Sequence, residues 1–210
     1  MANQDKTMIV LVLDASGSMS SLGNEPATAI DAFVADQKKQ PGEALFTLVQ
    51  FNTAYFFTHK ATPLTDVGPI GDAYHPNGMT ALHDATGRAI DETGKELAAM
   101  PEADRPGKVV FVVMTDGHEN SSKEYTGAQV AEKIKHQTEK YGWQFLFLGA
   151  GQDAIQQGGA LNVNAAQAMS WNSEKTGGVL RGLVSSSEAV SSYRGGGQAV
   201  YSNAHRDQNK

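Results

Sequence analysis

Six consecutive apolar residues, Met8-Ile9-Val10-Leu11-Val12-Leu13, run directly into Asp14-Ala15-Ser16-Gly17-Ser18-Met19. A short, β-branched-rich run without polar alternation reads as a parallel strand buried on both faces. Such strands belong to α/β sheets, whose sites lie outside the strand carboxyl ends. The loop leaving this strand carries Asp14, Ser16 and Ser18, a carboxylate and two hydroxyls in close succession. Hard oxygen ligands of this kind suit Mg²⁺, Mn²⁺ or Ca²⁺.

The rest of the chain alternates in the same manner. Pro26 is placed as a first helical residue, and Ile30, Phe33, Val34 and Gln37 share one face of a helix to about Lys39, stopped by Pro41-Gly42. Ala44–Phe51 and Tyr55–His59 read as strands paired around Asn52-Thr53-Ala54, the second at a sheet edge. Residues 60–79 form a long loop, a length that goes with a function or a local fold of its own. Ala81–Met100 has helical spacing, and Pro101–Gly107 is a turn-rich connector. Val109–Met114 reads as a central strand ending at Thr115-Asp116-Gly117, Thr126 as the cap of a helix to Tyr141, and Trp143–Leu148 as the next buried strand. Asp153 is placed as a further helix cap, residues 162–175 are mixed, and Val179–Tyr193 is a last helix despite the unfavourable Ser185-Ser186-Ser187.

A length of 210 residues with 40% apolar content fits one α/β domain. We expect a single domain over 1–194, with a core over about 5–150 and a helical extension over 151–194. Residues 195–210 are expected to be a tail or a docked extension. The net charge of −6 argues against non-specific nucleic-acid binding, and the absence of cysteine excludes disulfides, thiolate zinc sites and cysteine nucleophiles. No secretory signal pattern and no segment of membrane-spanning length is found, so no membrane insertion is expected. The expected location is the cytoplasm or a particle assembled there.

Two further loops bear on the first. Gly78-Met79-Thr80-Ala81-Leu82 places a hydroxyl just before a predicted helix, and Thr115-Asp116-Gly117 places a carboxylate at the end of a predicted strand. In a parallel sheet these loops emerge on one edge, so Asp14, Ser16, Ser18, Thr80 and Asp116 are expected to converge on one cation. Hydroxyls are neutral and leave the metal much of its charge, and Mg²⁺ seldom takes an all-protein cage. An incoming carboxylate from another molecule would complete the coordination.

The set Asp14-x-Ser16-x-Ser18, Thr80 and Asp116-Gly117 resembles the metal-ion-dependent adhesion site (MIDAS) of the von Willebrand factor A domain family, matching all five ligand positions in order. The resemblance covers roughly residues 5–150. Gly149-Ala150-Gly151-Gln152-Asp153-Ala154 is also similar to the C-terminal part of stand-alone bacterial and phage members. The resemblance implies a doubly wound, mostly parallel sheet with one antiparallel edge strand and helices on both faces. It further implies Mg²⁺-dependent binding of a partner's Asp or Glu rather than catalysis, and, in bacteria, partnership with a MoxR-type AAA+ ATPase.

Plainer readings stand beside these. Asp14, Ser16 and Ser18 are also ordinary turn formers. Gly17, Gly78 and Gly117 read as structural residues that let the backbone turn tightly. His118, Glu119 and Asn120 either shape partner choice or form a solvated loop in which Asn120 or Ser121 caps a short helix. Asp84 either supports the site from behind or is an exposed early-helix acid. His75 and His83 lie on different elements, which argues against a shared zinc. Tyr55, Phe56 and Phe57 read as core and rim, and Trp171 as a plug at one end of the sheet unless exposed. Gly149–Gly151 lacks the spacing and the lysine of a phosphate cradle. A structural or virion-assembly role is one alternative function. A metal-dependent phosphohydrolase with Asp14 as nucleophile is another; phosphatases of the haloacid-dehalogenase type need a second Asp two residues on, where this chain has Ser16.

Overall fold

The computed structural model describes residues 2–151 and 153–209. Six strands, β1 (Asn3–Asp14), β2 (Glu43–Phe51), β3 (Tyr55–Pro63), β4 (Pro106–Thr115), β5 (Gln144–Ala150) and β6 (Ala168–Trp171), form one sheet in the order β3-β2-β1-β4-β5-β6. Every pairing is parallel except that of β3 with β2 at one edge. β1 sits between β2 and β4, and its side chains alternate between two cores. Ile9, Leu11 and Leu13 pack in one, Met8, Val10 and Val12 in the other. Burial on both faces is the physical reason that this run has no polar alternation.

Helices α1 (Glu25–Gln37) and α5 (Gly178–Arg194) cover the first core with residues such as Ile30, Phe33, Val179 and Leu183. Helices α2 (Leu82–Ala99), α3 (Gly127–Tyr141) and α4 (Ala154–Ala160) cover the second with Leu82, Ile90, Val130, Ile134 and Ala154. This is the doubly wound α/β architecture with one antiparallel edge strand. Thr126 caps α3 as the sequence suggests, and the structure adds a reciprocal box with Gln129. Asp153 occupies the cap position of α4 but makes no side-chain cap hydrogen bond. Among the described residues no helix is long and apolar enough to cross a membrane.

Two stretches differ from their sequence reading, and a third has two readings open. The 60–79 loop gives its first residues to β3, then forms 3₁₀ turns at Leu64–Asp66 and Gly71–Ala73, with Leu64, Val67, Ile70 and Tyr74 in the first core. Residues 162–175 contain β6, which at four residues is too short to carry a period. Of the two readings of 195–210, the docked one describes the residues seen: Ala199 and Tyr201 are buried, and Arg206 of the short helix α6 (Asn203–Gln208) donates to the carbonyls of Ala165 and Ala168. Gln152, in the glycine-containing stretch after β5, lies outside the described residues.

The serine run in α5 has a partner. Gln37 Nε2 donates to Ser187 O, Ser187 Oγ and Ser191 Oγ at 2.8–2.9 Å. Arg194 is buried and donates to Gln37 O at 2.7 Å, Gly42 O at 3.0 Å and Pro41 O at 3.3 Å, satisfying carbonyls at and beyond the end of α1. An apolar residue at 194 would strand those acceptors. Arg194→Leu is therefore expected to lower stability by about 3 kcal/mol in urea unfolding followed by tryptophan fluorescence.

Candidate metal centre

Asp14 is the last residue of β1 and is fully buried. Its Oδ1 accepts the Ser16 N–H at 2.7 Å, its Oδ2 accepts the Thr115 hydroxyl at 2.6 Å, and its main-chain oxygen accepts the Tyr74 hydroxyl at 2.9 Å. Thr115 is in reach because β4 runs parallel to β1, with Leu13 opposite Met114. Beyond Asp14 the chain folds into a 3₁₀ turn, Gly17–Leu22, with Met19 buried beneath it. Ser16 Oγ and Ser18 Oγ lie 3.1 Å apart, and Ser18 Oγ donates to Asp116 Oδ1 at 2.7 Å. Asp14, Ser16, Ser18 and Asp116 thus form one hydrogen-bonded set drawn from two strand ends.

Thr80 arrives on a loop laced to its neighbours by backbone hydrogen bonds. Gly17 N–H donates to Gly78 O at 3.0 Å, Asn77 N–H to Ala15 O at 2.8 Å and Ala81 N–H to Asn52 O at 3.1 Å. Gly78 has φ +74°, a conformation that favours glycine, and a Cβ there would press on Thr53 Oγ1 at 3.0 Å. Gly117 serves differently: a Cβ there would stand 3.5 Å from Thr80 Oγ1 and 3.9 Å from Ser18 Oγ. Both distances are ordinary contacts, so the Thr80 and Ser18 hydroxyls flank the same glycine.

The loop after Asp116 positions Thr80 and forms no capped helix. Asn120 Oδ1 accepts the Thr80 N–H at 2.9 Å, and Asn120 N–H donates to Thr80 O at 3.0 Å. Glu119 accepts N–H groups from His83, Ser121 and Ser122 and the Ser122 hydroxyl, at 2.6–2.9 Å. Burial raises the Glu119 carboxyl, but these bonds outweigh it and hold it below its ordinary value. Asp84 accepts N–H groups from Lys123, Glu124 and Tyr125, which fastens the same loop to α2. His83 Nδ1 lies 3.8 Å from Glu119 Oε2. Trp171 is buried as a plug, with its indole N–H donating to Thr115 O at 3.2 Å. Sequence reading passed over Thr115, Tyr74 and Asn52, and it left Asn120 without its bond to Thr80. Only the Thr115-Asp116 adjacency offered a signal.

Burial raises the Asp14 carboxyl above its ordinary value of 3.8, against the lowering effect of its bonds to Thr115 and Ser16. Asp116 is also raised, by burial first and further by the Asp14 charge. Two acids held in this way, with three hydroxyls beside them, are a hard-oxygen set that a divalent cation fits and relieves. Among the described residues no group of three or more His, Cys, Asp or Glu forms a metal cluster, and the set here has two carboxylates.

A carboxyl raised on folding contributes stability below its unfolded value of 3.8 and loses that contribution as pH rises through the folded value. In EDTA, the melting temperature is expected to fall across that window for the native chain. The fall should be smaller for Asp14→Asn, whose amide can still accept from Ser16 N–H while Thr115 turns its hydroxyl to Gly117 O. Melting scans at several pH values check this; parallel profiles would count against it.

Residues 9–167 match the von Willebrand factor type A domain family. No curated protein sequence matches the chain significantly. Among solved structures, it is similar to proximal thread matrix protein 1 from the mussel byssus, at 16% identity and TM-score 0.64 over 90% of this chain and 46% of that one. The same mussel protein with its MIDAS motif occupied by zinc matches at 16% identity and TM-score 0.59, over 86% and 47%. A von Willebrand factor type A protein from Catenulispora acidiphila matches at 18% identity and TM-score 0.62, over 90% and 43%. The chain spans less than half the length of these proteins, and at such identities the likeness speaks to the fold. Domains of this kind commonly mediate metal-dependent protein–protein interaction. With the family match covering most of its length and the sheet order in agreement, the chain belongs to the von Willebrand factor type A domain family.

Proposed function

We propose that this domain is a metal-dependent protein-binding module with a MIDAS-type centre formed by Asp14, Ser16, Ser18, Thr80 and Asp116. The observation that carries this reading is the hydrogen-bonded set joining Asp14, Ser16, Ser18 and Asp116, with Thr80 facing it across Gly117. Ser16, Ser18 and Thr80 would hold the ion through hydroxyl oxygens, and Asp14 and Asp116 directly or through water. Mg²⁺ is the expected ion, with Mn²⁺ or Ca²⁺ as substitutes. When bound, it supplies an electrophilic position for a carboxylate. The chain's own residues keep that position selective: neutral hydroxyls leave the ion most of its charge, and the laced loops fix their spacing.

The partner on this reading is a protein that presents an Asp or Glu, in an adaptor or assembly role; a MoxR-type AAA+ ATPase and a virion or assembly protein are the two classes proposed. Binding rather than catalysis is the proposal, because Ser16 stands where a phosphatase of the haloacid-dehalogenase kind needs its second Asp.

Removing one oxygen ligand should cost about tenfold or more in ion affinity. Thr80→Ala is expected to keep the fold and to weaken Mg²⁺ and Mn²⁺ binding by that factor in calorimetric titration; equal affinities would argue against the centre. Capture of partners from the native host should succeed with Mg²⁺ and fail with EDTA, and recovery of the same partners in both would overturn the metal-bridged mode.

A further inference from the structure

Asn77-Gly78 is the one Asn-Gly pair in the sequence, and it stands in the loop that delivers Thr80. Both residues are exposed. Glycine has no side chain to keep its nitrogen away from the preceding side-chain carbonyl, so this pair is open to an attack that other Asn pairs resist. Among the described residues nothing accepts the Gly78 N–H. Asp116-Gly117 differs, since the Gly117 N–H donates to Thr115 Oγ1 at 3.2 Å.

The amide of Asn77 is polarised for that attack. Asn52 is buried and fixed by its own bonds: its Oδ1 accepts the Ala54 N–H at 2.7 Å, and its main-chain oxygen accepts the Ala81 N–H at 3.1 Å. Its Nδ2 donates to Asn77 Oδ1 at 3.1 Å. That oxygen takes up negative charge when a nucleophile adds to Cγ, and a preorganised donor there favours the addition. Asn77 Nδ2, the leaving nitrogen, donates to His75 O at 2.9 Å in an exposed contact.

The reaction needs only water. The Gly78 nitrogen gives its proton to solvent and bonds to Asn77 Cγ; the Cγ–Nδ2 bond breaks, and ammonia leaves with a proton taken from water. Water then opens the five-membered imide. Hydrolysis at Cγ leaves an aspartate. Hydrolysis at the main-chain carbonyl leaves isoaspartate, with the chain running through Cβ and Cγ.

The pair is anchored on both sides to the loop after β1. Asn77 N–H donates to Ala15 O at 2.8 Å, and Gly78 O accepts the Gly17 N–H at 3.0 Å. Isoaspartate adds one backbone carbon between those anchors, a bond of about 1.5 Å, so both cannot be kept. Thr80 is held to the loop after Asp116 by its two bonds to Asn120, and so it loses register with Asp14, Ser16 and Ser18. We propose that Asn77 is a spontaneous modification site, forming isoaspartate and aspartate through an imide with Gly78, and that isoaspartate lowers the ion affinity of the centre. The loss of affinity rests on the metal reading above; the modification itself does not.

The full chain and its Asn77→Gln variant are held for several days in mildly alkaline buffer with EDTA. They are then mapped by proteolysis and mass spectrometry and, once EDTA is removed, titrated with Mg²⁺ by calorimetry. Amide loss is expected to be fastest at Asn77 among the asparagines, with isoaspartate identified by enzymatic methylation of its carboxylate. The isoaspartyl fraction should bind Mg²⁺ at least about tenfold more weakly. Asn77→Gln, whose imide would need a six-membered ring, should keep the affinity it had when fresh. Fresh Asn77→Asp, which adds the charge without the extra carbon, should not reproduce the loss. Faster amide loss at another asparagine would overturn the site. Isoaspartate at Asn77 with unchanged Mg²⁺ affinity, or fresh Asn77→Asp as weak as the aged chain, would overturn its effect and leave the metal reading standing. A fresh chain that binds no Mg²⁺ would overturn the metal reading and the affinity effect together, while the mapping still decides the site.

Discussion

A carboxylate buried at the end of the central strand sets the terms for the whole carboxyl edge of the sheet. Asp14 is withdrawn from solvent because β1 is flanked on both sides and covered on both faces. An ionised group in that position must be hydrogen-bonded or paired. The Ser16 N–H and the Thr115 hydroxyl meet that demand in part, and the carboxyl remains raised. The second acid, Asp116, is raised in turn by its own burial and by Asp14. The proposed cation completes a compensation that the protein by itself leaves unfinished, which gives the ion a thermodynamic reason to bind there.

Around that centre the loops are held by backbone N–H groups that donate to neighbouring loops' carbonyls and side chains. Residues 15–17, 52–53, 77–81 and 119–125 bond to one another and to the start of α2. Thr80 is therefore placed by Asn120, Asn52 and Thr53, which are not themselves in the proposed coordination set. A change at these positions would move a ligand without removing one. On the first face of the sheet, Arg194, Gln37 and the α5 serines join α1 to α5. That seam explains why a helix with an intrinsically poor serine run is stable: its hydroxyls bond to groups on the neighbouring helix and to Tyr201 and Asn209.

How far the fold was legible depended on length and on burial. β1, β4 and β5 announce themselves because residues buried on both faces are apolar without interruption. α2 and α3 do so through the helical spacing of their buried residues, and α3 also through its Thr126 cap. β6 and α6 were out of reach. The one has four residues and the other six, and both owe their existence to contacts with β5 and α5.

The sequence by itself determined the order and chemical type of the five oxygen-bearing residues and the strand ends that carry four of them, since both are properties of consecutive residues. Only the tertiary structure decided what stabilises them. Thr115 reaches Asp14 across 101 positions and Asn120 reaches Thr80 across 40. Trp171 reaches Thr115 across 56. Such partners are set by strand register and loop path, which depend on the packing of the whole sheet, and no local pattern of residues encodes them.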